Sequence, residues 1–151
     1  MAKKVPVQPE NFELETNTVW AFPNRGKWAT HDAKYRGNWS PYIPRNVILR
    51  YSSEGDTVLD QFVGGGTTAV EAKLTGRNFI GFDINPAAVE LTQKKLDFEY
   101  NTSAEISVKL GDARKLERQN VTGFSKKINS VLYSWVIHVK RVWCSRLRLK
   151  L

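Results

Sequence analysis

One nine-residue stretch, DQFVGGGTT at residues 60–68, constrains this chain more than any other. Before it, TVLDQF reads as a short apolar strand over 57–62, entered through Gly55-Asp56. After it, TTAVEAKLTG reads as a helix over 67–76, closed by Gly76. Glycines between a strand and a helix allow a tight turn and let another group approach with no Cβ in the way.

The same rhythm continues downstream. NFIGFDI (78–84) predicts a second buried strand, and Asn85-Pro86 is a helix start with proline at the first helical position. AAVELTQKKLDFEY (87–100) reads as an amphipathic helix, and EISVKLGD (105–112) alternates as a third strand. Strand–helix–strand–helix–strand with short links predicts an α/β fold whose parallel sheet is covered by helices. Such sheets bind ligands at the carboxyl ends of their strands.

The flanks are less regular. Residues 1–16 read as a flexible N-terminal arm, and 17–45 carry Trp20, Phe22, Trp28, Tyr35, Trp39 and Tyr42 among prolines, glycines and asparagines. PRNVILRYS (44–52) predicts a helix opening at Pro44. INSVLYSWVIHV (128–139) is a candidate fourth strand, and RLRLKL (146–151) alternates like an edge strand.

Charge separates the two ends. Residues 126–151 carry seven basic groups and no acid, whereas the other 125 residues hold 16 basic and 15 acidic groups. The excess in the net charge of +8 therefore lies in a basic tail. It reads as a solvated end or as an arm that attracts polyanions without reading sequence. Cys144 has no disulfide partner, and with His31 and His138 it makes a poor zinc set, so no metal is expected. No run of eighteen apolar residues predicts a membrane span, and the Met-Ala-Lys-Lys-Val-Pro start lacks a signal-peptide core. A reducing cytoplasm is expected.

Three ligands compete for the glycine turn. A triphosphate loop needs a lysine after its last glycine; none follows Gly66, and Gly26-Lys27 is followed by Trp28. A dinucleotide pattern, G-x-G-x-x-[G/A], is met by Gly64 to Ala69, with Asp83 about twenty residues on. That leaves an NAD(P)-dependent oxidoreductase as an alternative. Against it, Asp60, Asp83 and Asp112 stand at three consecutive strand ends. A pyrophosphate is repelled by such a row. A cofactor with a cationic end, ribose hydroxyls and a purine amine is attracted by it, because carboxylates accept from all three. S-adenosylmethionine has these groups and a positive sulfonium.

DQFVGGGTT resembles the D-x-F-x-G-x-G-T-T motif of the amino-group DNA methyltransferases, which modify adenine N6 or cytosine N4. FIGFDIN resembles their next strand with its ribose-binding acid, and GDAR their adenine-side motif. Residues 31–52 resemble the segment that packs beside the methionine moiety, and the likeness spans roughly 17–116. It implies a three-layer Rossmann-like methyltransferase domain over 17–125 with later strands missing or diverged, followed by the basic tail. It implies that Phe62, Gly64 and Gly66 shape the turn, and that Thr67 and Thr68 cap the helix and touch S-adenosylmethionine. Asp60 is implied near the amino-acid end, Asp83 at the ribose and Asp112 at the adenine amine. Pro44, Arg45 and Asn46 are implied to flank the methionine portion.

The catalytic half does not read out. The family's [D/N/S]-P-P-[Y/F/W] motif aims the exocyclic amine at the methyl group while its aromatic stacks on a flipped base. The sequence has no Pro-Pro; Ser40-Pro41-Tyr42 lacks the second proline, and Ser134-Trp135 lacks both. No catalytic residue is therefore expected, and the chain reads as a truncated or diverged member. A shifted frame near 117–125, or a split enzyme completed by another chain, explains the loss. DNA is then a weak or indirect partner, and a non-catalytic remnant is a further alternative.

Overall fold

The computed structural model describes residues 5–118. Three parallel strands, β1 (Thr57–Asp60), β2 (Asn78–Asp83) and β3 (Ile106–Leu110), form a sheet in the order β1-β2-β3. Helices α1 (Tyr42–Tyr51), α2 (Thr67–Leu74) and α3 (Pro86–Leu96) accompany them, and a 3₁₀ segment, Ala113–Arg118, follows β3. Parallel pairing requires crossovers, which α2 and α3 supply.

Register sets the core. Val58, Phe79 and Ile106 align across the sheet on one face. Ile48 of α1, Ala69 and Ala72 of α2 and Leu96 of α3 pack on that face, with Phe79 and Val58 fully buried. Leu59, Ile80 and Phe82 project from the opposite face and form their own buried cluster. The described residues thus supply the sheet and one helical layer of the three-layer arrangement. The segments expected as later strands, 128–139 and 146–151, lie outside them, as does the basic tail over 126–151.

Element ends differ from the periodicity reading for local reasons. β1 stops at Asp60 rather than Phe62 because the Asp60 carboxylate accepts from the Phe62 amide, a turn that competes with the ladder. α1 begins at Tyr42, so Pro44 sits inside the first turn, where its missing N–H costs nothing. α3 stops at Leu96 rather than Tyr100. Lys73 Nζ donates to the carbonyls of Leu96 and Phe98, and Phe98 and Tyr100 fold back against Trp28, Val70 and Leu74. Asn85 caps α3 by accepting from the Ala87 amide, ahead of Pro86, as predicted.

Residues 6–15, expected as part of a flexible arm, are docked without forming helix or strand. The Pro6 carbonyl accepts from Ala29, and the Glu15 amide donates to Asn46. The Gln8 amide donates to the Leu74 carbonyl and the Tyr100 hydroxyl and accepts from Arg45. Side-chain partners from distant elements hold this stretch where no local pattern announces order.

Candidate functional site at the carboxyl rim of the sheet

The turn after β1 is built so that its backbone meets the end of β2. The Val63 amide donates to the Phe82 carbonyl, and the Gly64 amide donates to Asp83 Oδ2 at 2.8 Å. Asp83 Oδ1 accepts from Asn85 at 2.9 Å, and the Asp83 carbonyl accepts from Gly111. All three strand ends are therefore stitched into one rim. Asp60 is buried at its base, with Oδ1 3.0 Å from the Phe62 amide. At the far side Asp112 is clasped by the Arg114 guanidinium and accepts from its amide. Hydrogen bonding from the Arg114 side chain is the main cause that lowers the Asp112 carboxyl to about 2, so it is ionised through the neutral range.

The rim also carries apolar faces. Phe62, Ile84 and Leu110 are 50%, 67% and 60% exposed. Sequence reasoning named Phe62 but missed Ile84 and Leu110, which read there as strand interior. Their position one residue beyond Asp83 and two before Asp112 was the available signal.

The glycines are required mainly by the protein itself. Gly64 and Gly66 have φ of +52° and +76°. A Cβ on Gly66 would stand 2.8 Å from Thr92, and one on Gly65 would stand 2.9 Å from Tyr35 and 3.0 Å from Asn38. Gly65 and Gly66 are buried, and only Gly64 is partly open. Close approach of a ligand thus concerns Gly64 alone. Thr67 and Thr68 are buried in the first turn of α2 and do not cap it; the cap position is Gly66, in a left-handed conformation. Thr67 Oγ1 donates instead to Asn38 Oδ1.

Pro44, Arg45 and Asn46 are all buried in α1. The Arg45 guanidinium donates to Glu71 at 2.9 Å and to Gln8 at 2.6 Å and lies over the Phe12 ring. Asn46 accepts from Glu15 and donates to the Tyr42 carbonyl. The side chains of Arg45 and Asn46 are committed to internal partners, so a cofactor role does not follow from their placement. Glu71, fully buried, is the hub: Oε1 accepts from Trp28 Nε1 and faces His31 Nε2, each at 2.7 Å. This hub, which the sequence did not reveal, fixes residues 28–45 onto α2.

Ser40-Pro41-Tyr42 is likewise structural. Ser40 Oγ donates to the Arg25 carbonyl and accepts from the Tyr42 amide, and Pro41 is buried. The Tyr42 ring stacks on Phe22 and meets the Trp28 ring edge-on, so it is not available to a base. Ser134-Trp135 lies outside the described residues. Among the described residues no cluster of His, Cys, Asp or Glu has metal-binding geometry, and no helix is long and apolar enough to cross a membrane.

Comparison with known proteins bears on this rim. A DNA methylase family model matches residues 2–94, and a model of RNA cap guanine-N2 methyltransferases matches residues 55–145. The chain is 31% identical over 126 residues to the DNA adenine methyltransferase YhdJ of Escherichia coli (strain K12), covering 83% of this chain and 40% of that one. It is 38% identical over 82 residues to the type II methyltransferase M.BglI of Bacillus subtilis, covering 54% of this chain and 22% of the relative. The M2.DpnII type II methyltransferase of Streptococcus pneumoniae is 40% identical over 77 residues, 51% of this chain and 28% of its own. The chain thus spans less than half the length of each of these relatives. With more than half its length matched and the glycine turn and its acids on one rim, the chain belongs to the amino-group DNA methylase family, whose members modify N6 or N4 amines.

Proposed function

We propose that this domain binds S-adenosylmethionine along the rim and serves as the cofactor-holding part of an adenine-N6 or cytosine-N4 DNA methyltransferase. The observation that carries the reading is the row of carboxylates Asp60, Asp83 and Asp112, with Asp83 tied to the one open glycine. Bound there, S-adenosylmethionine supplies an activated methyl group on a cationic sulfur.

The residues present fit that group. Asp83 uses one lone pair on each oxygen for Gly64 and Asn85, which leaves acceptor capacity for a ribose diol. Asp112, held ionised by Arg114, suits a purine amine. Phe62, Ile84 and Leu110 offer apolar surface to a purine ring. Asp60, at the base of the rim, offers a carboxyl toward the amino-acid end of the cofactor. A dinucleotide gains nothing from three carboxylates beside its pyrophosphate, which disfavours the oxidoreductase reading.

Methyl transfer also needs a group that positions the target amine. The sequence contains no Pro-Pro, and Tyr42 is packed away. We therefore assign to these residues cofactor binding with little transfer alone; the amine-positioning and target-reading parts then come from elsewhere, whether further residues of the same protein or a complementing chain. Calorimetric titration with S-adenosylhomocysteine and with a nicotinamide dinucleotide tests the first assignment. Binding of the former and not the latter is expected, and the reverse overturns it. A DNA methylation assay on the chain alone tests the second: turnover comparable to that of a complete methyltransferase refutes it.

A further inference from the structure

Residues 32–38 form a strap over the glycine turn, and its fastening is elaborate for a loop. The Arg25 guanidinium donates to the carbonyls of Asn38, Asp32 and Trp39 at 2.8, 3.2 and 2.6 Å. Asn38 Nδ2 closes the strap by donating to the Asp32 carbonyl, and Asn38 Oδ1 accepts from Thr67 at the start of α2. Lys95, buried in α3, pairs with Asp32 at 3.0 Å. Burial works to raise the Asp32 carboxyl, but the Lys95 and Lys34 hydrogen bonds and their charges outweigh it and hold it below its usual value.

What the strap presents is Tyr35. Its Cβ lies over Gly65, and its ring runs on toward Gly64, with Cε1 3.3 Å and Cδ1 3.9 Å from where a Gly64 Cβ would be. The Tyr35 ring thus lies beside the turn, in contact distance of Gly64. The Asp83 carboxylate also meets Gly64, with Oδ2 2.8 Å from its amide. The one partly open glycine of the turn is thus met by both an acid and an aromatic residue, and Tyr35 is only partly buried.

An aromatic ring attracts a cation that lies against it. We propose that Tyr35 walls the cofactor site at the sulfonium and is the residue by which this protein distinguishes the charged methyl donor from its neutral demethylated product. This rests on the cofactor reading above. The two ligands differ only by one methyl group and the positive charge it confers on sulfur. Contacts to ribose, purine and amino-acid ends are common to both, so they cancel in the ratio of affinities. A ring that attracts the sulfonium does not cancel. Because the strap is held by at least six hydrogen bonds and ion pairs, the ring is in place before the ligand arrives and costs little ordering on binding.

The test is titration of the 151-residue chain with S-adenosylmethionine and with S-adenosylhomocysteine, in the wild type and in Tyr35→Phe, Tyr35→Leu and Tyr35→Gln. Tyr35→Phe keeps the ring and is expected to leave the ratio of affinities within about twofold. Tyr35→Leu and Tyr35→Gln delete the ring and are expected to weaken the charged donor about three- to tenfold more than the product. Two ring-deletion variants are used so that misfolding of one, seen in its thermal melt, leaves the other to decide. Equal losses for the two ligands, or none, overturn the proposal while leaving the cofactor reading intact. Failure of the wild type to bind either ligand overturns both.

Discussion

The Gly64 amide and the Asp83 carboxylate, nineteen residues apart, are joined by a 2.8 Å hydrogen bond. One bond thus couples the shape of the turn after β1 to the acid at the end of β2. Asp83 also receives the Asn85 amide, so its carboxylate organises both loops while facing the rim.

Replacing Asp83 therefore acts twice. In Asp83→Ala, S-adenosylhomocysteine binding measured by calorimetry is expected to weaken tenfold or more, about 1.4 kcal/mol, and the melting temperature to fall. Asp83→Asn keeps an acceptor for Gly64 with less capacity for a diol. It loses the second acceptor, for the Asn85 amide, and is expected to melt below the wild type but above Asp83→Ala, while binding more weakly than the wild type. Unchanged affinity in both variants removes Asp83 from the site.

Gly66 and Gly37 separate backbone strain from contact. Both have positive φ, +76° and +81°, but a Cβ on Gly66 meets Thr92 at 2.8 Å whereas one on Gly37 meets nothing within 4 Å. Gly37→Ala is expected to cost about 1 kcal/mol in urea unfolding, the left-handed penalty alone. Gly66→Ala adds a clash in a buried turn, and a loss of about 2 kcal/mol or more is expected. Equal losses for the pair contradict the packing described for Gly66.

Glu71 holds a buried hub in which Arg45 is its ionic partner. Removing only one member of such a pair strands the other charge. Glu71→Ala is accordingly expected to cost about 3–5 kcal/mol. The same variant releases Trp28, whose indole N–H bonds to Glu71, so near-ultraviolet circular dichroism in the tryptophan region is expected to weaken. A stability within 1 kcal/mol of wild type, as ~1 kcal/mol is the scale of an ordinary hydrogen bond, contradicts the hub.

Asp112 is lowered to about 2, chiefly by the hydrogen bond from Arg114. A depressed folded-state value means that the group favours folding above its unfolded value near 3.8 and loses that contribution as pH falls toward 2. Arg114 is exposed, so the pair's effect on stability is small. Carbon-detected NMR titration is expected to show a midpoint near 2 for Asp112 that moves up toward 3.8 in Arg114→Gln. A midpoint that stays put in the variant rules out Arg114 as the cause.

Much of this was legible without coordinates. Short apolar runs placed β1 and β2, alternation placed β3, and the residues between them placed α2 and α3, since these patterns are properties of the local chain. Gly76 and Asn85-Pro86 marked a helix end and a helix start for the same reason. The aspartates at strand ends were visible because a parallel sheet puts its carboxyl ends on one rim. The DNA methylase motif was legible as a run of residues.

Partner choice was not. The internal partners of Arg45 and Asn46 are long-range: Glu71 and Gln8 for the one, Glu15 for the other. The helix end at Leu96, the docking of residues 6–15 and the placing of Tyr35 on Gly64 and Gly65 also depend on contacts between distant segments. The amino-acid sequence alone determined the order of elements, the glycine turn and the acids, because each is written in neighbouring residues. Which side chains line the rim and which are tied up inside was decided only by tertiary structure, because a hydrogen bond between residues 19 or 43 positions apart leaves no local trace.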